Sequence, residues 1–247
     1  MALSKGEIHY AIEQGEAALE ITGERGMPFA QAITRITLAN AYIGLVRYDT
    51  AMGHISDAFQ IGHNMKSKNL AYMCSISSAY LSMERSNEKE CLKLVRSAMT
   101  IAKKNGIVNI FYTPRQVMVR LCAKALEAGI ETEHVKKIIT RHNLIPDTPM
   151  QHIENWPWPI RIYTLGRFVI VKKGNPVKFH KKTQQKPMDL LKAIIALGGR
   201  DVSEEELTDL LWPDADGDSA HRVFDTTLYR LRHLLGVEKA IELRGAA

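Results

Sequence analysis

The chain is expected to fold as an α-helical repeat domain followed by a small α+β domain, and three features of the sequence predict this. Through residues 1–145, apolar residues recur at three- and four-residue steps in one stretch after another, which is the mark of amphipathic helices. Residues 146–159 interrupt that pattern with Pro146, Pro149, Pro157 and Pro159 around Trp156 and Trp158. From residue 160 the pattern becomes short alternating stretches, then three helix-like stretches and a last short strand. The expected boundaries are therefore 1–145 for the helical domain, 146–159 for a connector and 160–247 for the α+β domain.

Within the first domain, helices are expected over 30–46, 51–65, 70–83 and 91–102, with breaks at 23–28, 47–50, 66–69, 85–87 and 105–106. Thr113, Pro114 and Gln116 read as the N-cap, first-turn proline and capping-box partner of the next helix, and Gly129 as its stop. Ala18, Ala58 and Ala98 recur at one constant step, and Ala41-Tyr42 and Ala79-Tyr80 at very nearly the same step. Small residues at a fixed place in paired helices let the backbones approach. A period of this length, about 40, fits a solenoid of helical hairpins, with an irregular bundle as the other packing open to these helices. A solenoid presents a concave surface suited to a peptide or protein partner; a spacer or a homodimerisation element is equally open.

Proline cannot continue a helix and pushes the residue before it toward extended backbone, so Asn155-Trp156-Pro157-Trp158-Pro159 reads as a stiff connector. Its two tryptophans are expected to be at least half buried and to orient the domains.

In the second domain, strands are expected at 160–165, at 168–171 and, after a turn at Lys173-Gly174-Asn175-Pro176, at 177–179, forming an antiparallel meander. A helix over 187–197 ends at Gly198-Gly199. Ser203-Glu204-Glu205-Glu206 is a capping box opening a helix over 204–211, where the three glutamates suit the positive end of the helix dipole. A loop over 214–218, with Asp218 or Ser219 as N-cap, leads into a helix over 219–235 stopped by Gly236, and a strand at 240–243 follows.

Composition narrows the function. No apolar run approaches the roughly 18 residues of a membrane span, and residues 1–15 lack the apolar core of a secretory leader, so a cytoplasmic protein without a membrane partner is expected. Cys74, Cys91 and Cys122 form no CxxC pair and read as reduced core cysteines. No phosphate loop, nucleophile elbow or HExxH is present, and His54 and His63 stand nine apart, so neither an enzyme, a cofactor nor a metal is expected. The net charge of +6 is unevenly spread: residues 161–192 hold nine Lys or Arg against one acid, and residues 200–218 hold one Arg against eight acids. Two faces with different partners fit this alternation, as does a surface that compensates itself.

A sheet, three helices and a strand, in that order, resemble the OmpR-like winged helix-turn-helix of bacterial antibiotic-regulatory-type transcription activators. Thr164-Leu165-Gly166-Arg167-Phe168 matches the opening strands of that family, Lys186-Pro187 with Leu190-Leu191 its first helix, Leu211-Trp212-Pro213 the end of its second, and Arg222, Asp225, Leu228 and Arg230-Leu231-Arg232 its third. The first domain resembles, with a longer period, the tetratricopeptide-like helical domains of large activators of this kind. The whole is similar to the C-terminal portion of such an activator, with the wing expected to be truncated after Leu243.

The resemblance implies a DNA-binding transcription regulator with double-stranded DNA as partner, and RNA polymerase contact through the loop bearing Asp214, Asp216 and Asp218. On a helical wheel, Ala220, Phe224, Thr227, Leu228, Leu231 and Leu235 form one stripe, while Arg222, Thr226, Tyr229 and His233 face the opposite way, flanked by Asp225, Arg232 and Arg230. Arg pairs with guanine, Asp accepts from cytosine and Thr touches the thymine methyl. Phosphate contacts are expected from Lys172, Lys173, Lys178, Lys181, Lys182 and Lys186, with Lys181, Lys182 and Lys186 foremost. Arg222, Arg230 and Arg232 are also open to a purely internal role, pairing with the acidic second helix and loop. The competing reading of the whole chain is a protein-interaction scaffold whose helical repeats bind a partner and whose winged helix is a docking module that never touches DNA.

Overall fold

The computed structural model describes residues 5–146, 153, 155–172, 174–177, 185–236 and 240–243. Ten helices and one three-stranded antiparallel sheet lie among them, so the chain is mostly helical. It divides into two compact units, Met1–Pro157 and Trp158–Ala247. None of the described helices is long and apolar enough to cross a membrane.

The first unit holds α1 (Lys5–Glu24), α2 (Pro28–Gly44), α3 (Tyr48–Asn64), α4 (Lys68–Glu84), α5 (Glu88–Asn105), α6 (Arg115–Glu127) and α7 (Thr132–Arg141). Helices α2 to α5 begin at even intervals, at Pro28, Tyr48, Lys68 and Glu88, and one kind of joint sets that interval. Gly26, Val46, Lys66, Ser86 and Gly106 all have left-handed backbone, with φ of 61°, 63°, 52°, 56° and 65°. At each, the residue's N–H bonds to the carbonyl three back, and the following N–H to the carbonyl five back. These bonds satisfy carbonyls that a helix end leaves without partners. Side chains add caps: Ser67 Oγ accepts from the Leu70 N–H, and Asn87 Oδ1 from the Glu90 N–H.

Packing follows two rows, α2 with α4 and α4 with α6, and α5 with α7, besides the sequential neighbours. Helix α4 lies between neighbours, which explains why Leu70, Tyr72, Met73, Cys74, Ile76, Ser77, Ala79, Tyr80, Leu81 and Met83 are all buried. Two alanines of the constant-step series mark close approaches: Ala58 and Ala98 are wholly buried. A Cβ on Gly62 would lie 2.9 Å from Leu70 Cβ, and one on Gly15 2.6 Å from Leu38 Cδ2.

Thr113 does not cap α6. The N-cap is Pro114, with ψ of 137° and no side-chain cap, because its ring fixes φ while its backbone remains extended. Gly129, with φ of 63°, follows the end of α6 as expected. The three cysteines are free and buried, and burial pushes the Cys74 and Cys122 thiols up to about 12. Trp156 is fully buried, and Trp158 is partly buried.

The second unit opens with β1 (Ile160–Tyr163), β2 (Val169–Lys172) and β3 (Asn175–Pro176), in that sheet order. Ile160 pairs with Lys172, Tyr163 with Val169, and Lys172 with Asn175. Two residues of the expected turn, Asn175 and Pro176, are thus strand, and of the other two Gly174 takes φ of 82° while Lys173 lies outside the described residues. Of the expected strand at 177–179, Val177 continues the pairing through its N–H to the Ile170 carbonyl at 2.8 Å, while Lys178 and Phe179 lie outside the described residues.

Three helices cover the sheet: α8 (Gln185–Ala196), α9 (Glu204–Leu211) and α10 (Gly217–Leu235). Their core joins Ile170, Leu190, Leu191, Leu207, Phe224, Leu228, Leu231 and Leu235. Leu210, although apolar, is 58% exposed. One turn after Leu207 the inward position of α9 is Leu211, which packs on the core together with Trp212. The described residues at 240–243 form no strand: Ile241 packs on the core, and its carbonyl is taken by a side chain of α10.

Candidate nucleic-acid interface

Helix α10 begins where Asp216, rather than Asp218 or Ser219, accepts the Ser219 N–H at 3.0 Å, and ends where Gly236 turns left-handed. The capping box of α9 is complete: Ser203 Oγ accepts from the Glu206 N–H and Glu206 Oε2 from the Ser203 N–H, both at 3.1 Å. These caps fix the two helices that carry the site. Ala220, Phe224, Thr227, Leu228, Leu231 and Leu235 form the buried stripe of α10, as the wheel requires. Arg222, Thr226, Tyr229 and His233 are exposed on the opposite side together with Asp225 and Arg230, and Tyr229 is 69% exposed.

The chemistry of these side chains differs. Arg222 and Arg230 form no ion pair among the described residues, so neither is consumed by the acids of α9. Thr226 donates its hydroxyl hydrogen to the Arg222 carbonyl at 2.9 Å, as small hydroxyl residues do within helices. Asp225 is engaged by His221, whose Nε2 lies 3.6 Å from its Oδ2, while His221 Nδ1 meets Glu204 Oε1 at 2.5 Å. The Glu204 hydrogen bond, then the Glu204 and Asp225 charges, raise the His221 pKa above its ordinary value. His221 was not among the sequence candidates, although its place four residues before Asp225 is a legible signal.

Two cations face the unit's own backbone. Arg232 is half-buried, and its Nε and Nη2 donate to the Ile241 carbonyl at 3.2 and 2.9 Å, fastening the segment after α10. Lys186 Nζ donates to the Leu211 carbonyl at 3.0 Å and sits 5.6 Å from the centre of the Trp212 ring. It therefore neutralises the negative end of α9. Lys172 Nζ lies against Gly236 at the end of α10, where a cation is likewise favourable. Lys173, Lys178, Lys181 and Lys182 lie outside the described residues.

Of the three loop acids, Asp216 is the N-cap and Asp218 stands in the first turn of α10, both suited to the positive end of its dipole; Asp214 is exposed. Among the described residues no group of three or more His, Cys, Asp or Glu is arranged to hold a metal ion. No protein-family model, curated protein or solved structure matches the chain.

Proposed function

We propose that the chain is a DNA-binding transcription regulator, an activator in which the second unit is an OmpR-like winged helix-turn-helix and α10 enters the major groove. The observation that carries this reading is the outer face of α10. Arg222 and Arg230 are exposed there without ion pairs among the described residues, beside Thr226, Tyr229 and His233, on a helix whose other face is core. Such a helix offers guanidinium groups to base edges without first breaking internal pairs. Asp225 joins this face as a partner for cytosine, and Lys181 and Lys182 are the proposed phosphate contacts. Arg232 and Lys186 fix the domain rather than read DNA.

The helical unit is read as tetratricopeptide-like, supported by evenly spaced joints, two to each helical hairpin. It takes a protein or peptide partner or a second copy, and Asp214 with its neighbours contacts RNA polymerase. The test is fluorescence anisotropy with a mixed-sequence DNA duplex across several salt concentrations. Binding that weakens steeply with salt supports the reading; absence of salt-sensitive binding at low salt favours the interaction scaffold instead.

A further inference from the structure

The segment joining α5 to α6 has a fixed base and a loosely held tip. At the base, the Ile107 N–H donates to the Ala102 carbonyl. Two histidines of the α7 region take the next two carbonyls: Nε2 of buried His134 lies 2.8 Å from the Ile107 oxygen, and Nε2 of His142 lies 2.9 Å from that of Val108. The tip then runs over α4 to α2. The Phe111 ring meets Tyr72 edge-on with centroids 6.4 Å apart, and Asn40 Nδ2 donates to the Tyr112 carbonyl at 3.4 Å.

Little fastens this tip. The Asn40 bond is at the long end of the range. Thr113 N–H to Ile110 O, at 3.2 Å, is the backbone bond within it. Phe111 takes φ of 42°, a region that non-glycine residues rarely occupy, and the Phe111 and Tyr112 side chains both remain exposed. Both residues that the tip touches also carry a buried polar atom without a hydrogen-bond partner among the described residues, Asn40 Oδ1 and the Tyr72 hydroxyl oxygen. A primary amide can accept an N–H while donating to a carbonyl, and the tip supplies only the carbonyl.

We infer that residues 109–113 are a displaceable internal ligand over a peptide-binding surface made by Asn40 and Tyr72, and that the surface takes an extended peptide bearing an aromatic side chain. The tip itself shows the chemistry, a main-chain carbonyl on Asn40 and an aromatic ring on Tyr72. An extended peptide supplies in addition the N–H that Asn40 Oδ1 lacks. A tethered tip competes at an effective concentration on the order of millimolar, so it excludes weak peptides and yields to strong ones. This surface belongs to the first unit and stands or falls apart from DNA binding.

The probe is a labelled synthetic pentapeptide of residues 109–113 with blocked ends, titrated by anisotropy into the full chain and into a full-length variant carrying Gly-Ser-Gly-Ser-Gly at those positions. The variant is expected to bind at least about tenfold more tightly than wild type, since its tethered competitor is gone, and to lose that binding when Asn40→Leu is added. Equal affinity for both chains overturns the inference, as does absence of binding by a variant with native circular dichroism. Should the replacement not fold, Phe111→Ser, which leaves the base intact, takes its place and must bind more tightly than wild type. If that chain too fails to fold, the tip is part of the core and the inference is overturned.

Discussion

Glu204 and His221 join the first turn of α9 to the first turns of α10, Oε1 to Nδ1 at 2.5 Å, and the same imidazole reaches Asp225 from its other nitrogen. Because Glu204 and Asp225 favour the imidazolium, the folded pKa is raised. The stabilising contribution is then fully present below the unfolded value of about 6.5 and is lost as pH rises through the raised folded value. Glu204→Gln is expected to lower the His221 titration midpoint, followed by NMR. The urea midpoint of wild type should exceed that of Glu204→Gln by more at pH 5.5 than at pH 8.5. A His221 midpoint unmoved by the substitution would show that the carboxylate contact does not persist in solution.

The exposed arginines of α10 are expected to separate from the half-buried one by what their removal disturbs. Arg222→Ala and Arg230→Ala should each cost about 1–3 kcal/mol of specific DNA affinity and relax base preference, with thermal stability unchanged. Arg232→Ala should instead lower thermal stability, since it abandons the Ile241 carbonyl. Paired melting and binding curves check the split, and a destabilised Arg222→Ala chain would contradict it.

Two glycines of α3 should respond in opposite directions to alanine. Gly53 has open space where a Cβ would go, so Gly53→Ala should stabilise by about 0.5–1 kcal/mol through helix propensity alone. A Cβ on Gly62 would press on Leu70 Cβ at 2.9 Å, an atom that cannot swing aside. Gly62→Ala should therefore be a net loss, because overpacking of about 1–3 kcal/mol exceeds the propensity gain. Denaturant melts of the two variants decide the matter, and stabilisation by Gly62→Ala would mean that α3 and α4 pack less closely than described.

Val46 takes φ of 63° with 67% of its surface exposed, so it bears the cost of a left-handed β-branched residue with little burial in return. Left-handed backbone costs L-residues roughly 1–2 kcal/mol, partly offset by the entropy that glycine loses on folding. Val46→Gly is expected to raise stability by about 0.5–1 kcal/mol in equilibrium unfolding. A decrease would show that the joint draws on the Val46 side chain.

The inner and outer faces of α10 were legible because apolar residues at helical spacing report burial directly: the stripe through Phe224, Leu228 and Leu231 is the one the wheel selects. The capping box at Ser203 was legible for a similar reason, since its partners lie three residues apart. The joints fall at or beside the expected breaks at 47–50, 66–69 and 85–87, but the left-handed backbone of Val46, Lys66 and Ser86 was not legible, because no glycine marks it. Nor does composition tell an arginine bound to backbone from a free one. Arg232 and Arg230 look alike in sequence, and only the position of the Ile241 carbonyl separates them. Leu210 and Leu211 are likewise adjacent and equally apolar, and a helix as short as α9 gives periodicity too little length to choose between them.

The five joints from Gly26 to Gly106 give the first unit a grain size. The first four each join two helices across three residues and pack them side by side, which reverses the run of the chain, so inserting or deleting one joint-to-joint interval would send the later helices of this row the opposite way, whereas two intervals would add or remove a hairpin and leave their direction intact. Growth or loss in this part of the molecule is therefore counted in even numbers of helices.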